Sequence, residues 1–172
     1  MDINERISRI TCEAFEGLLN GAVVSAVSVD PTGDGQEAEL VAVIGFSGSQ
    51  ARGVIGLSAT PDVIRALYPR EDSRDDLGEA ELADWTGELA NQLLGRLKLD
   101  LMRRGVQLWM ATPVVLRGVS VHVASSRTAV RKFRFDVDAG VFWAWLDLTL
   151  DESVDLESNE TTGPGAGDML FF

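Results

Sequence analysis

Residues 78–104, GEAELADWTGELANQLLGRLKLDLMRR, form the longest periodic stretch of the sequence and predict a helix. Apolar residues recur here at the spacing of one helix face, and the stretch is rich in Leu, Ala and Glu, which favour helices. At about 100° per residue, one side of the helix collects Leu82, Leu89, Ala90, Leu93 and Leu97. A surface helix buries its apolar side, so we expect a sheet to cover this face.

The opposite side of the helix is a polar stripe. Taking Asp84 as the origin, Glu88 lies about 40° away, and Asn91 and Gly95 lie about 20° to either side. These side chains should therefore point outward. A solvated surface is the plain interpretation of such a stripe, because any amphipathic surface helix has one.

Two details of this stripe favour a functional site instead. Gly87 and Gly95 stand in a helix interior, where glycine costs about 1 kcal/mol relative to alanine, and they would allow close approach by the backbone of a partner. An Asn amide both donates and accepts hydrogen bonds, so Asn91 can orient a water molecule while the carboxylate of Glu88 holds a cation. That pair suits hydrolysis of an activated group carried by another molecule.

The remaining patterns predict an α+β domain: an antiparallel β-sheet with long helices packed on one face. A first helix is expected over residues 3–19, and a short one starts at Thr60 and Pro61. Three consecutive antiparallel strands should precede the short helix, joined as hairpins by turns at 31–35 and 47–49. Further strands should follow the long helix, and a turn at 138–140 should join the last two. The predicted strands are 23–29, 39–46, 53–58, 106–109, 114–124, 130–137 and 141–150. The domain should span residues 1–150, followed by an acidic, disordered tail over 151–172.

Composition excludes several classes of protein. The 172 residues are 45% hydrophobic, which is enough for a core without disulfides, and one Cys and one His cannot build a Cys/His zinc site. The net charge of -12 repels phosphate backbones and anionic lipids, so we expect no nucleic-acid or membrane partner. No apolar run approaches the roughly 20 residues of a membrane span, and the N-terminus lacks a signal-peptide pattern. A soluble, cytoplasmic protein is the expectation.

Three other features have simple structural interpretations. His122 alternates with valines and should sit on the solvent side of a strand. Cys12 falls beside Phe15 in the first helix and should be a small core residue. Trp143 and Trp145 share one face of the last strand while apolar residues occupy the other, so that strand should be buried on both sides, as a homodimer contact would explain.

The string Asp84-x3-Glu88-x2-Asn91, followed by 21 residues and Pro113, resembles the signature of the CheC/CheX/FliY chemotaxis phosphatases. The order of the segments IGFSGSQARGVIGLSAT (44–60), DLGEAELADWTGELANQLLGRLK (76–98) and TPVVLRG (112–118) is similar to that of CheX-type domains. The resemblance covers roughly residues 5–150. One copy of the motif is present, which favours the CheX type over the two-site CheC type.

The resemblance implies a phosphatase that hydrolyses the phospho-aspartate of a CheY-like response regulator. In that family pattern Glu88 would pair with the active-site Lys of the regulator, and Asn91 would enter the site and orient the attacking water. The regulator would supply the Mg²⁺, so the protein would need no metal or cofactor of its own. Asp84 would make a supporting contact with the partner, and Pro113 would shape the next strand.

Two other functions stay open at the level of sequence. The chain could be a non-catalytic adaptor that keeps the fold and binds a response regulator or another signalling protein. It could also be a structural relative of flagellar-switch proteins. Binding without faster decay of the phosphorylated regulator would select the adaptor, whereas stable co-assembly with motor proteins would favour the switch relative.

Overall fold

The computed structural model describes residues 3–19, 23–29, 38–121 and 130–154; the side chains of residues 3, 4, 23–29 and 120 are outside that description. The helices are α1 (Ile3–Leu18), α2 (Pro61–Ala66) and α3 (Glu79–Met102), with a 3-10 turn at Glu71–Ser73. The strands are β1 (Val23–Val29), β2 (Ala38–Ser47), β3 (Ala51–Ala59), β4 (Trp109–Met110), β5 (Val114–Val121), β6 (Val130–Val137) and β7 (Gly140–Leu150). His122, the 31–35 turn and residues 155–172 of the predicted tail lie outside the described residues.

Within the described residues, all seven strands join one antiparallel sheet in the order β1-β6-β7-β3-β2, with β4 and β5 both paired to β2. The hairpins β2–β3 and β6–β7 are confirmed. The predicted hairpin between β1 and β2 is wrong, because β1 pairs with β6. The β6–β7 hairpin lies between β1 and β3, and alternation within a strand carries no information about such a distant partner.

One face of the sheet carries the core. α1 and α3 pack on this face and against each other. Phe15 of α1 contacts Phe133 and Phe135 of β6, with ring centroids 6.0 and 5.5 Å apart. The predicted architecture, an antiparallel sheet with long helices on one face, is therefore confirmed. Among the described residues, no helix is both long and apolar enough to cross a membrane.

The start of α3 is defined by a side chain at its third position. Gly78 precedes the helix, and its backbone N–H donates to Glu81 Oε2 at 2.8 Å. This bond satisfies one of the donors left free at a helix start. The carboxylates of Glu79 and Glu81 in the first turn also interact favourably with the positive end of the helix dipole. Thr86 is fully buried on the core side, where its hydroxyl donates to the Leu82 carbonyl at 2.6 Å. A polar residue in the core is thus satisfied within the helix.

One predicted strand differs from the structure. Residues 106–108 form no strand; the short strand β4 is Trp109–Met110, where the chain pairs with the end of β2. After β7, Val154 is buried in the core cluster beyond a turn held by Asp151. The backbone N–H and hydroxyl of Ser153 both donate to Asp151 Oδ1, which lowers the pKa of that carboxyl.

The other face of the sheet carries Trp143 and Trp145. Both side chains are half-buried, while Phe142, Ala144 and Leu146 on the core side are buried. Trp145 lies directly over Gly56 of β3, where an added Cβ would collide with the indole ring. Part of the coverage predicted for this strand therefore comes from within the chain.

Candidate functional site

The polar stripe of α3 is oriented as the sequence predicts. Asp84 and Glu88 are exposed, and Asn91 is half-buried. The opposite side of α3 is buried in the core through Leu82, Leu89, Ala90, Leu93 and Leu97. Because this side is packed against the sheet, the three polar side chains project from a fixed helix rather than from a loop.

Glu88 makes one hydrogen bond within the described part of the chain. Gln92 Nε2 donates to Glu88 Oε1 at 2.8 Å. No Lys or Arg side chain described in the structure forms an ion pair with Glu88. The carboxylate of Glu88 is therefore oriented by Gln92 and has no cationic partner in the described part of the chain.

Asn91 and Asp84 have no hydrogen-bond partner among residues 3–19, 23–29, 38–121 and 130–154. The Asn91 amide keeps both its donor and its acceptor free for another molecule. Asp84 stands one helical turn before Glu88, so the stripe presents two carboxylates followed by an amide. This order matches the one read from the sequence.

Gly87 serves packing inside the chain. It is buried, and an added Cβ would lie 3.3 Å from Val115 Cγ2 and 3.7 Å from Pro113 Cγ. Within the chain, the close approach that this glycine allows is made by the start of β5. Arg117 of β5 also pairs with Glu79 at 2.5 Å, at the start of α3. Pro113 directly precedes β5, as expected.

Gly95 differs from Gly87, although both lie near the stripe. It is half-exposed, and an added Cβ would meet no atom within 4 Å. No packing contact within the described chain requires glycine at this position. Beyond it, the exposed side chains of Leu99 and Met102 continue the same side of α3. After Asn91, this side of the helix thus carries Gly95, Leu99 and Met102, with the half-buried Lys98 beside them.

Sequence reasoning missed three residues of this surface: Gln92, Leu99 and Met102. The spacing of Glu88 and Gln92, four residues apart, was an available signal, because such pairs are neighbours on a helix. The signal for Leu99 and Met102 was the helical spacing itself: at about 100° per residue, Met102 falls at about 0° and Leu99 at about 60° from Asp84, on the side of the stripe.

Cys12 and the acidic groups do not form a second reactive centre. Cys12 is half-buried against the core, and its pKa is raised to about 11 by burial and by the nearby carboxylates of Glu16 and Glu13. Across the described ranges, no group of three or more His, Cys, Asp and Glu side chains is arranged to hold a metal ion. The stripe on α3 is thus the best-defined candidate site.

Together, the fold and the stripe describe an α+β domain that carries two carboxylates and an amide on one side of a long helix packed against an antiparallel sheet. A family model described as Chemotaxis phosphatase CheX matches residues 40–136, which include the whole stripe. This match spans more than half of the chain. The protein belongs to the CheX family of chemotaxis phosphatases.

Solved structures share this fold at low sequence identity. The chemotaxis protein CheX from Vibrio vulnificus is 17% identical, with a TM-score of 0.73 over 84% of this chain and 99% of that chain. CheX from Desulfovibrio desulfuricans is 21% identical, with a TM-score of 0.65 over 84% and 99%. The CheX–CheY–BeF3–Mg²⁺ complex from Borrelia burgdorferi contains a chain that is 15% identical, with a TM-score of 0.63 over 86% and 97%. No curated protein matches the sequence.

Proposed function

We propose that this protein hydrolyses the phospho-aspartate of a CheY-like response regulator, with Glu88 and Asn91 acting in the active site of that regulator. The observation that carries the proposal is the placement of an unpaired carboxylate and a free amide on one exposed side of α3 in a CheX-family chain. A protein of the same fold was solved in complex with CheY, BeF3 and Mg²⁺. That complex supports a response regulator as the partner.

The proposed role of Glu88 is to bind the regulator. Its free oxygen would accept from the ammonium group of a Lys beside the phosphorylated aspartate. A charge-assisted hydrogen bond of this kind fixes the register of the two proteins and is stronger than a neutral one. Asp84 would add a supporting contact, and Gly95 would let the regulator backbone approach α3.

The proposed role of Asn91 is to position water. Its amide can accept from and donate to one water molecule and hold it in line with the phosphorus atom. The water oxygen forms a bond to phosphorus while the bond from phosphorus to the aspartyl oxygen breaks. The aspartate leaves as a carboxylate, and the protons of the water pass to inorganic phosphate and solvent. This reaction needs positioning and charge stabilisation more than a new nucleophile.

In this proposal the phosphoryl group and its Mg²⁺ belong to the regulator, and the protein contributes no metal or cofactor. A cytoplasmic location goes with the proposal, because response regulators of this kind act in the cytoplasm. A homodimer is also part of the proposal. Its best support is the edge strand β5, where the side chains of Val114, Leu116 and Val119 are exposed. This edge supports a dimer better than Trp143 and Trp145, the pair that suggested it in the sequence.

The test is the decay of a phosphorylated CheY-type regulator from the same organism, followed as released phosphate. We expect Asn91→Ala to lower kcat by about 10²-fold, the cost of losing a positioned reactant. Glu88→Ala should raise KM by tenfold or more, because one partner of an interfacial charge pair is lost. Arg96→Ala, an exposed change on α3 away from the stripe, is the matched control. Parent-like rates in both site variants, with unchanged thermal unfolding, would refute the assignment.

The same preparation tests the adaptor as the alternative function. Titration of the protein with phosphorylated and unphosphorylated regulator measures binding independently of turnover. Binding without acceleration of phosphate release selects the adaptor. Acceleration that depends on Asn91 selects the phosphatase.

A further inference from the structure

Gln92 contacts the residue on which the proposed partner binding depends. Its Nε2 atom donates to Glu88 Oε1 at 2.8 Å, from one helical turn further along α3. Glu88 is exposed, whereas Gln92 is half-buried. Within the described residues this is the only hydrogen bond or ion pair at Glu88. One carboxylate oxygen is therefore oriented, and the other is left for a partner.

Gln92 also lines a cavity between α3 and the segment that follows α2. This cavity of about 260 Å³ is lined by Gln92, Trp85 and Leu89 of α3 and by Tyr68. The rings of Trp85 and Tyr68 meet edge to face, with centroids 5.4 Å apart. Gln92 thus lies at the border between this aromatic wall and the exposed stripe. Such a border leaves its amide fewer directions than a fully solvated side chain has.

A neutral donor at this position has a specific chemical advantage. Lys is the usual helical partner of a Glu four residues earlier, and it would neutralise the carboxylate. An internal ammonium would then compete with the ammonium of the regulator for Glu88. The Gln92 amide orients the carboxylate and leaves its charge unchanged. Fixing a flexible side chain before binding also reduces the entropy lost when the complex forms.

We infer that Gln92 is a positioning residue, which holds the carboxylate of Glu88 in the conformation that binds the ammonium group of the regulator. The inference rests on the proposed function, because it assigns Gln92 a role in that same site. Gln92 acts through Glu88 and has no contact of its own with the reacting atoms. Its loss should therefore weaken partner binding and leave the chemical step intact.

The test combines Gln92 and Glu88 variants in one set of regulator-dephosphorylation assays. Gln92→Met keeps the length of the side chain and removes the donor, so we expect KM to rise about three- to tenfold, with kcat within twofold of the parent. Gln92→Lys keeps a donor but adds a competing cation, so its KM should rise further. In the Glu88→Ala background, Gln92→Met should have no additional effect, because the residue through which it acts is gone.

The outcomes separate this inference from the function on which it rests. A parent that fails to accelerate phosphate release refutes the proposed function and the role of Gln92 together. An active parent that loses activity on Asn91→Ala, with Gln92→Met equal to the parent, refutes the role of Gln92 alone. A Gln92→Met effect of equal size in the parent and Glu88→Ala backgrounds shows a structural role and also overturns the inference. Dissociation constants for the phosphorylated regulator should follow the same pattern as KM.

Discussion

At the scale of residues, Glu88 and Asn91 stand in different states before any partner arrives. Glu88 is held by Gln92, whereas Asn91 has no hydrogen-bond partner in the described part of the chain. This difference suits their proposed roles. A side chain that binds a cation, as proposed for Glu88, benefits from a fixed orientation. A side chain that enters another active site, as proposed for Asn91, must adjust its conformation to the groups present there. Fixing the side chain before binding should therefore contribute more to the partner affinity provided by Glu88 than to that provided by Asn91.

Cys12 yields a prediction about pH. Burial and, to a smaller extent, the carboxylates of Glu16 and Glu13 disfavour the thiolate, which raises the pKa of Cys12 to about 11. At pH 8 only about one thiol in 10³ is then ionised, against about one in ten for a thiol with the ordinary pKa of 9.0. We expect iodoacetamide to label the folded protein at least about 100-fold more slowly than the urea-unfolded protein at that pH.

The rate of this labelling should rise with pH up to about 11, because the pKa is raised and the thiolate is the reactive form. Glu16→Gln removes one negative charge near the thiol and should speed the labelling of folded protein. Glu5→Gln, an exposed change earlier in the same helix, is the control. Equal rates for folded and unfolded protein would contradict the environment assigned to Cys12.

At the scale of elements, the strongest local signals predicted the structure best. The helix α3 has the apolar periodicity and the length that the sequence predicts, and its first turn is acidic. Its polar stripe faces outward, as expected. The β6–β7 hairpin follows from its turn, where Gly140 has φ of +139°. The pairing of β1 with β6 was not predictable in this way. It depends on which strand edge is free after the hairpins form, and no local pattern encodes that.

Gly87 and Gly95 of α3 have surroundings that the local sequence did not distinguish, and substitutions at the two positions should differ in their effect on stability. Sequence assigned both to partner approach, whereas the structure packs Gly87 against Val115 and Pro113 and leaves Gly95 in open space. Gly95→Ala should raise the free energy of unfolding by about 1 kcal/mol through helix propensity alone. Gly87→Leu should lower it by about 1–3 kcal/mol, because it overpacks the contact with β5. Urea unfolding of both variants measures the difference.

Substitutions at Gly95 and Gly87 should also differ in their effect on regulator dephosphorylation. Gly95→Leu should not lower the free energy of unfolding, because leucine also favours a helix over glycine and the position is open. It should still slow regulator dephosphorylation, because a large side chain there would block the proposed approach of the partner. Gly87→Ala provides the small matched change on the packed side. If Gly95→Leu neither alters KM nor weakens regulator binding, Gly95 has no part in the partner contact. Similar stability losses for Gly87→Leu and Gly95→Leu would contradict the geometry of α3.

At the scale of the whole molecule, the sheet has one edge that carries exposed apolar side chains. β4 and β5 both pair with β2, and among the described residues β5 has no partner on its other side. Val119 is 93% exposed and Trp109 is 64% exposed, and Val114 and Leu116 of β5 are also exposed. Open strand edges tend to pair with another chain, and clustered exposed apolar residues mark interaction surfaces. This edge therefore supports the proposed homodimer better than Trp145, which is partly covered over Gly56.

The last prediction is that β5 forms the contact between two copies of the chain. Sedimentation equilibrium should give a mass near twice the 18.6 kDa of the chain at micromolar concentrations. Val119→Lys should shift it toward the monomer, because a buried unpaired charge is costly at an interface. Leu99→Lys is the control: it is an exposed apolar residue of α3, about 18 Å along the helix from the contact between Gly87 and β5. A monomeric parent, or dissociation by Leu99→Lys but not by Val119→Lys, would rule out this edge as the dimer contact.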